Sequence, residues 1–135
     1  MRLLIDANIL LDVLQNKEPH VHTSSLIWKM CEVGSIEGYV TSLTVANLIY
    51  VMRKELSPEK IEEALSVFKL IFHLTDLTVS DLTDAAGMKW SDFEDAVQSA
   101  IAQRIHADCI ITRNVRDFRK SPIAAFTPDE YLARN

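Results

Sequence analysis

An α/β fold built on a largely parallel sheet of four to five strands, flanked by helices, is predicted by three observations. Short, nearly continuous apolar runs, Leu3-Leu4-Ile5 and Cys109-Ile110-Ile111, have the character of strands covered on both faces. Segments with helical apolar spacing separate the strand candidates, and strand–helix alternation brings the chain back onto a parallel neighbour. The 135 residues, 48% of them hydrophobic with 3 glycines and 4 prolines, suffice for one compact domain over 1–135 and are too few for two ordinary ones.

In chain order, residues 2–6 read as a buried strand, followed by a turn at Ala7-Asn8 and a short helix through Ile9, Leu10, Val13 and Leu14. A second helix spans about 20 to 33, with Leu26, Ile27, Met30 and Cys31 as its buried stripe and Gly34 as its stop. Residues 37–41 form the next strand, and Ser42 or Thr44 caps a helix reaching Leu56. Ser57-Pro58 opens a helix on which Ile61, Leu65, Phe68 and Phe72 recur at helical spacing. A short strand at 73–77 leads to a helix starting at Thr78 or Ser80 and ending near Met88. Ser91 caps a helix from Asp92 to about Ile105, with Glu94 as a capping-box acid and Phe93, Val97, Ala100, Ile101 and Arg104 on one broad face. A strand at 108–112, a turn at Arg113-Asn114, an edge strand at 123–126 and a helix opened by Thr127-Pro128-Asp129-Glu130 complete the chain.

Fourteen basic against nineteen acidic residues give a formal charge of -5, which does not advertise nucleic-acid binding over the whole surface but leaves room for a local patch. Cys31 and Cys109 lack metal-finger spacing, and Cys109 reads as a buried thiol, fitting a cytoplasmic setting. Asp6, Asn8 and Asp12 interrupt the apolar N-terminus, so neither a signal peptide nor a membrane span is expected. His20, His22, His73 and His106 make no close zinc pattern.

Sites in open parallel sheets form beyond the carboxyl ends of the strands. Asp6 ends the first strand there, Asn114 and Asp117 follow the fourth, and Asp92 and Asp95 share one face at the start of the preceding helix. Magnesium takes hard oxygen ligands, and it can activate water and neutralise a phosphodiester. Asp6, Asp95 and one of Asn114 or Asp117 form the smallest metal set, with Asp92 beside it. Each acid also has a local reading: Asp6 as a turn acceptor, Asp92 and Asp95 as partners of the helix dipole, Asp117 and Asn114 as turn residues. A cluster of like charges, however, is costly without a cation. Arg113, Arg116, Arg119 and Lys120 are placed to contact phosphates, as are Arg53 and Lys54 more remotely. Trp28, Tyr50 and Trp90 can each stack on a base, and the sequence selects none of them.

The run LLIDANILLDVL, then SLTVANLIYVMRK, DFEDAVQSAIAQRIHADCIITRNVRDF and FTPDEYL, resembles the PIN domain of VapC-type toxins over nearly the whole chain. The resemblance implies a three-layer PIN-like fold and a magnesium- or manganese-dependent endoribonuclease. It also implies an RNA substrate, a small antitoxin partner and a homodimer. By position it carries catalytic or metal-binding roles to Asp6, Asp95, Asn114 and Asp117, with Asp92 an added acid. One departure stands out: the helix after the second strand supplies a glutamate in the family, where this chain has Asn47, an oxygen donor without charge. A weak or inactive PIN-like nucleic-acid-binding or regulatory protein is therefore the alternative. A receiver-like phosphoacceptor, the third reading, needs paired acids at the first strand and a later lysine after a strand; Asp6 stands alone there and Arg113-Asn114 follows the fourth.

Overall fold

The computed structural model describes residues 1–134. Five strands, β1 (Arg2–Ile5), β2 (Glu37–Thr41), β3 (His73–Thr75), β4 (Cys109–Ile111) and β5 (Ala125–Phe126), form one sheet in the order β3-β2-β1-β4-β5. Every pairing is parallel. Seven helices surround it: α1 (Ala7–Leu14), α2 (Val21–Glu32), α3 (Ser42–Val51), α4 (Pro58–Ile71), α5 (Val79–Met88), α6 (Phe93–Arg104) and α7 (Pro128–Arg134). A 3-10 turn occupies Val115–Phe118.

The apolar strands divide their side chains between two faces, as strand geometry requires. Leu3, Ile5, Val40, Cys109 and Ile111 point into a core shared with Ile9, Leu10, Ile27, Leu48 and Phe68 of α1 to α4 and Tyr131 of α7. Leu4 and Ile110 point the other way, toward Ala102 of α6 and Phe118 of the 3-10 turn. Ala85 of α5 packs with Ala96, Val97 and Ile101 of α6 on that second side. Helices on both faces make three layers and explain why β1 and β4 have no polar alternation.

Several ends differ from the sequence expectation by one residue, for a physical reason. Thr41, the last residue of β2, caps α3 through a 3.0 Å bond from the Thr44 N–H, in place of Ser42 or Thr44. Asp92, rather than Ser91, caps α6 by accepting the Asp95 N–H at 3.0 Å. Both caps are the residues with extended backbone, which aims the side chain back at the first turn. Thr78 and Asp81 form a reciprocal capping box on α5, and Thr127 and Glu130 do the same for α7. The helix expected to reach Leu56 stops at Val51. Leu26 of α2, Leu65 of α4 and Phe93 of α6, assigned to buried stripes, are exposed.

Arg104 holds α6 against α5. Its guanidinium reaches both carboxylate oxygens of Asp81 at 2.9 Å and the Asp76 carbonyl at 2.7 Å. Burial pushes the Asp81 carboxyl up, but the bonds from Arg104 and Thr78 outweigh it and hold the group below its ordinary range.

Gly38 of β2 is a packing requirement. A Cβ there would lie 2.4 Å from Cys31 Sγ and 3.1 Å from Phe72 Cδ1. Gly38→Ala is expected to cost about 1–3 kcal/mol by overpacking. Gly87, within α5 with nothing near its missing Cβ, is the contrast, and Gly87→Ala should stabilise by about 0.5–1 kcal/mol. Urea denaturation of the two variants checks both signs; a neutral Gly38→Ala would refute the close-packing account.

Candidate active site

The chain leaves β1 toward β2 and β3 on one side of the sheet and returns to β4 and β5 on the other, so a crevice opens where β1 meets β4. Ile5 pairs with Ile111 in register, which sets Asp6 against Thr112 at the carboxyl end of both strands. Asp6 caps α1: Oδ1 accepts the Ala7 N–H at 2.8 Å, and Oδ2 accepts the Thr112 hydroxyl at 2.7 Å. Asn8 braces the pair. Its amide nitrogen lies 3.3 Å from Asp6 Oδ2 and 3.3 Å from Thr112 Oγ1, while its Oδ1 accepts the Arg113 N–H at 3.2 Å. Thr112 Oγ1 in turn accepts the Asn114 N–H at 3.0 Å. Sequence reasoning missed Asn8 and Thr112 as supports, although both stand beside residues it singled out.

An open pocket of about 340 Å³ lies beside this crevice. Trp90, Ser91, Asp92 and Asp95 line it together with Arg116, Asp117, Arg119 and Lys120. Acids and bases far apart in sequence thus share one concavity. Burial pushes the Asp95 carboxyl up to about 7, helped by the charges of Asp92, Asp6, Asp117 and Glu94. Burial also raises Asp6 above its ordinary value against the opposing bonds from Thr112 and Ala7, with Glu94 and Asp117 adding to the rise. The acids are therefore one electrostatic group. Hard carboxylate oxygens in mutual repulsion suit a divalent cation in kind. Among the described residues, no three of them already converge into a coordinating group.

The expected residues divide as follows. Asp95 feels the charges of Asp6, Asp92 and Asp117, Asp6 feels that of Asp117, and Asp92, Asp95 and Asp117 line the pocket with Arg116, Arg119 and Lys120. Asn114 is exposed, makes no cap with its side chain, and does not line the pocket. Arg113 turns the other way: its Nε lies 3.0 Å from Oδ2 of the fully buried Asp12. Asn47 lies outside the pocket and donates its amide to Glu94 Oε1. Glu94 does not form the expected capping box, because Asp92 and not Ser91 is the cap; its Oε1 accepts the Asn47 amide instead, and its charge joins the acidic group. Cys31 and Cys109 are buried thiols, pushed up to about 12 and about 11 by burial, and take no part.

The structure is a three-layer α/β protein whose five-stranded parallel sheet gathers acids at the β1/β4 crevice. The PIN domain profile matches residues 2–116, and the chain belongs to the PIN domain family. PIN nucleases generally use divalent metal ions. No curated protein sequence matches. Among solved structures, a toxin–antitoxin complex from Klebsiella pneumoniae is similar at 18% identity and TM-score 0.71, covering 93% of this chain and 97% of that one. FitAcB from Neisseria gonorrhoeae is similar at 16% identity and TM-score 0.69, with the same coverages of 93% and 97%. VapC20 of Mycobacterium tuberculosis, a sarcin-ricin loop cleaving toxin, has 10% identity and TM-score 0.64, covering 97% of this chain and 94% of that one. At these identities the likeness is one of fold. No helix among the described residues is long and apolar enough to cross a membrane.

Proposed function

We propose that the protein is a magnesium- or manganese-dependent endoribonuclease and the toxin of a toxin–antitoxin pair. One observation carries the reading: Asp92, Asp95 and Asp117 share a single pocket with Arg116, Arg119 and Lys120. Phosphodiester hydrolysis needs a negative cradle for a cation beside positive groups for the chain. Asp6, Asp95 and Asp117 would hold the cation, with Asp92 and Glu94 at its border. Bound there, a divalent ion supplies water activation and neutralisation of charge on phosphate. Arg116, Arg119 and Lys120 bind the flanking phosphates. Asn8 and Thr112 hold the Asp6 carboxylate in one orientation. Asn114 stands at the turn, and Arg113 anchors that turn through Asp12 and Asn8. The test is cleavage of structured and unstructured RNAs with magnesium, with manganese and with chelator. Metal-dependent cleavage supports the reading.

A second reading has one specific observation in its favour. Asn47 is neutral and spends its amide on Glu94, so no acid of α3 reaches the centre. A protein that binds RNA in that assay without cutting it would be this non-hydrolytic form.

The antitoxin has a suitable seat. Leu14, Trp28, Met52, Leu56, Val67 and Phe68 line an apolar cleft of about 220 Å³. An apolar helix of a small partner fits such a groove. Val67 is 46% exposed, so Val67→Asp should leave the melting temperature nearly unchanged. It should weaken binding of a co-expressed small partner encoded beside the gene by about tenfold or more. Equal binding by the variant would move the partner elsewhere. A second apolar patch, Leu43, Leu77, Leu82 and Phe93, suits a homodimer, which sedimentation would detect. A cytoplasmic setting accords with two free cysteines.

A further inference from the structure

We propose that Trp90 is the platform on which one base of the bound strand stacks, so that the pocket reads an unpaired nucleotide and not only its phosphates. The inference rests on the reading of this pocket as a nucleic-acid site. Of Trp28, Tyr50 and Trp90, the three aromatics singled out in the sequence, the fold selects one. Trp28 is enclosed by Phe68 and Phe72, with ring centroids 6.0 and 5.0 Å away, in the apolar cleft. Tyr50 lies under the Arg53 guanidinium at 4.1 Å and does not line the pocket. Trp90 alone lines the pocket that holds Asp95 and Arg119.

Its placement has a local cause. Lys89 ends α5 in the left-handed conformation, φ 59°, and swings the chain across the mouth of α6. The indole then makes a T-shaped contact with buried Phe118, centroids 6.2 Å apart and planes at 76°, and packs against the apolar clusters on both sides of α6, which hold it at the wall. It is only partly buried, and its N–H is neither sealed off nor hydrogen-bonded among the described residues. A rigid ring with a free polar edge, sharing a concavity with three cations, offers stacking and phosphate contact to the same nucleotide. A base within a duplex is already stacked and paired, so its face is unavailable to the ring.

The experiment uses the full chain carrying Trp28→Phe, which leaves Trp90 as the sole indole. Calcium replaces magnesium, and the RNA is checked for intactness. Titration with a short single-stranded oligoribonucleotide should quench the indole emission, and the matching duplex should not. Trp90→Ala should weaken binding of the single strand by about tenfold or more, with Trp90→Phe restoring most of it. An oligomer with one abasic position, scanned along the strand, supplies the decisive comparison. At one position the loss of the base and Trp90→Ala should be non-additive, because each removes the same contact. Additive losses at every position, or unchanged affinity in a folded Trp90→Ala, would overturn the platform while leaving the nuclease reading intact. No RNA binding by the parent protein would overturn both.

Discussion

Asp95→Asn is expected to lower metal-dependent RNA cleavage by roughly a hundredfold or more, since even a group that only orients a ligand is worth about 10–100-fold. The same change should leave the metal-free protein as stable as its parent or more so. The sign follows from the position of the carboxyl. Burial first, then Asp92, Asp6, Asp117 and Glu94, raise it from 3.8 to about 7. Folding therefore favours its protonated form. That contribution is complete below the unfolded value and is lost as pH rises through about 7. In chelator, the melting temperature of the parent should fall as pH rises from about 4 to about 7, and Asp95→Asn should flatten that slope. A cation competes with the proton for the same oxygens, so the gain on adding manganese should grow over the same interval in the parent and shrink in the variant. Cleavage rates and thermal melts at matched pH measure both effects. Undiminished cleavage by Asp95→Asn would remove this residue from the centre.

Asp12→Ala is expected to destabilise the protein by about 3–5 kcal/mol, lowering its melting temperature by roughly 10 °C or more. Asp12 has no exposed surface, accepts the Ser24 hydroxyl at 3.1 Å and sits 3.0 Å from Arg113 Nε. The separation from Arg113 is that of an ion pair, yet the Nε–H is not aimed along it and Asp12 Oδ1 has no partner among the described residues. The attraction is thus between charges and not an aligned hydrogen bond. Removing Arg113 strands the Asp12 carboxylate in the interior, whereas Arg113 keeps 29% of its own side chain exposed, so Arg113→Ala should destabilise at least as much. Arg113 also carries the N–H that Asn8 accepts, so loosening this pair propagates to the bracing of Asp6. Arg119→Ala should behave in the opposite way, weakening RNA binding with little change in melting. Thermal melts and RNA titrations of the three variants separate these roles. A loss below about 1 kcal/mol for Asp12→Ala would show that the pair is not holding the turn.

The sequence by itself determined what is local. Apolar runs marked β1 and β4, helical spacing marked most of the helices, and Ser57-Pro58 marked the start of α4 to the residue. Each signal is a one- or two-turn pattern that burial or a cap enforces whatever surrounds it. Asp6, Asp92, Asp95 and Asp117 could be picked out as candidates because parallel strands end at one edge of the sheet and residues three apart share a helix face. Tertiary structure decided what depends on the approach of segments distant in the chain. It turned Arg113 inward to Asp12, left Asn114 outside the pocket, set Glu94 against Asn47 and chose Trp90 among the aromatics. Periodicity says that a side chain leaves its element on one face; only packing says which partner that face meets, and a charge or a ring takes its role from that partner.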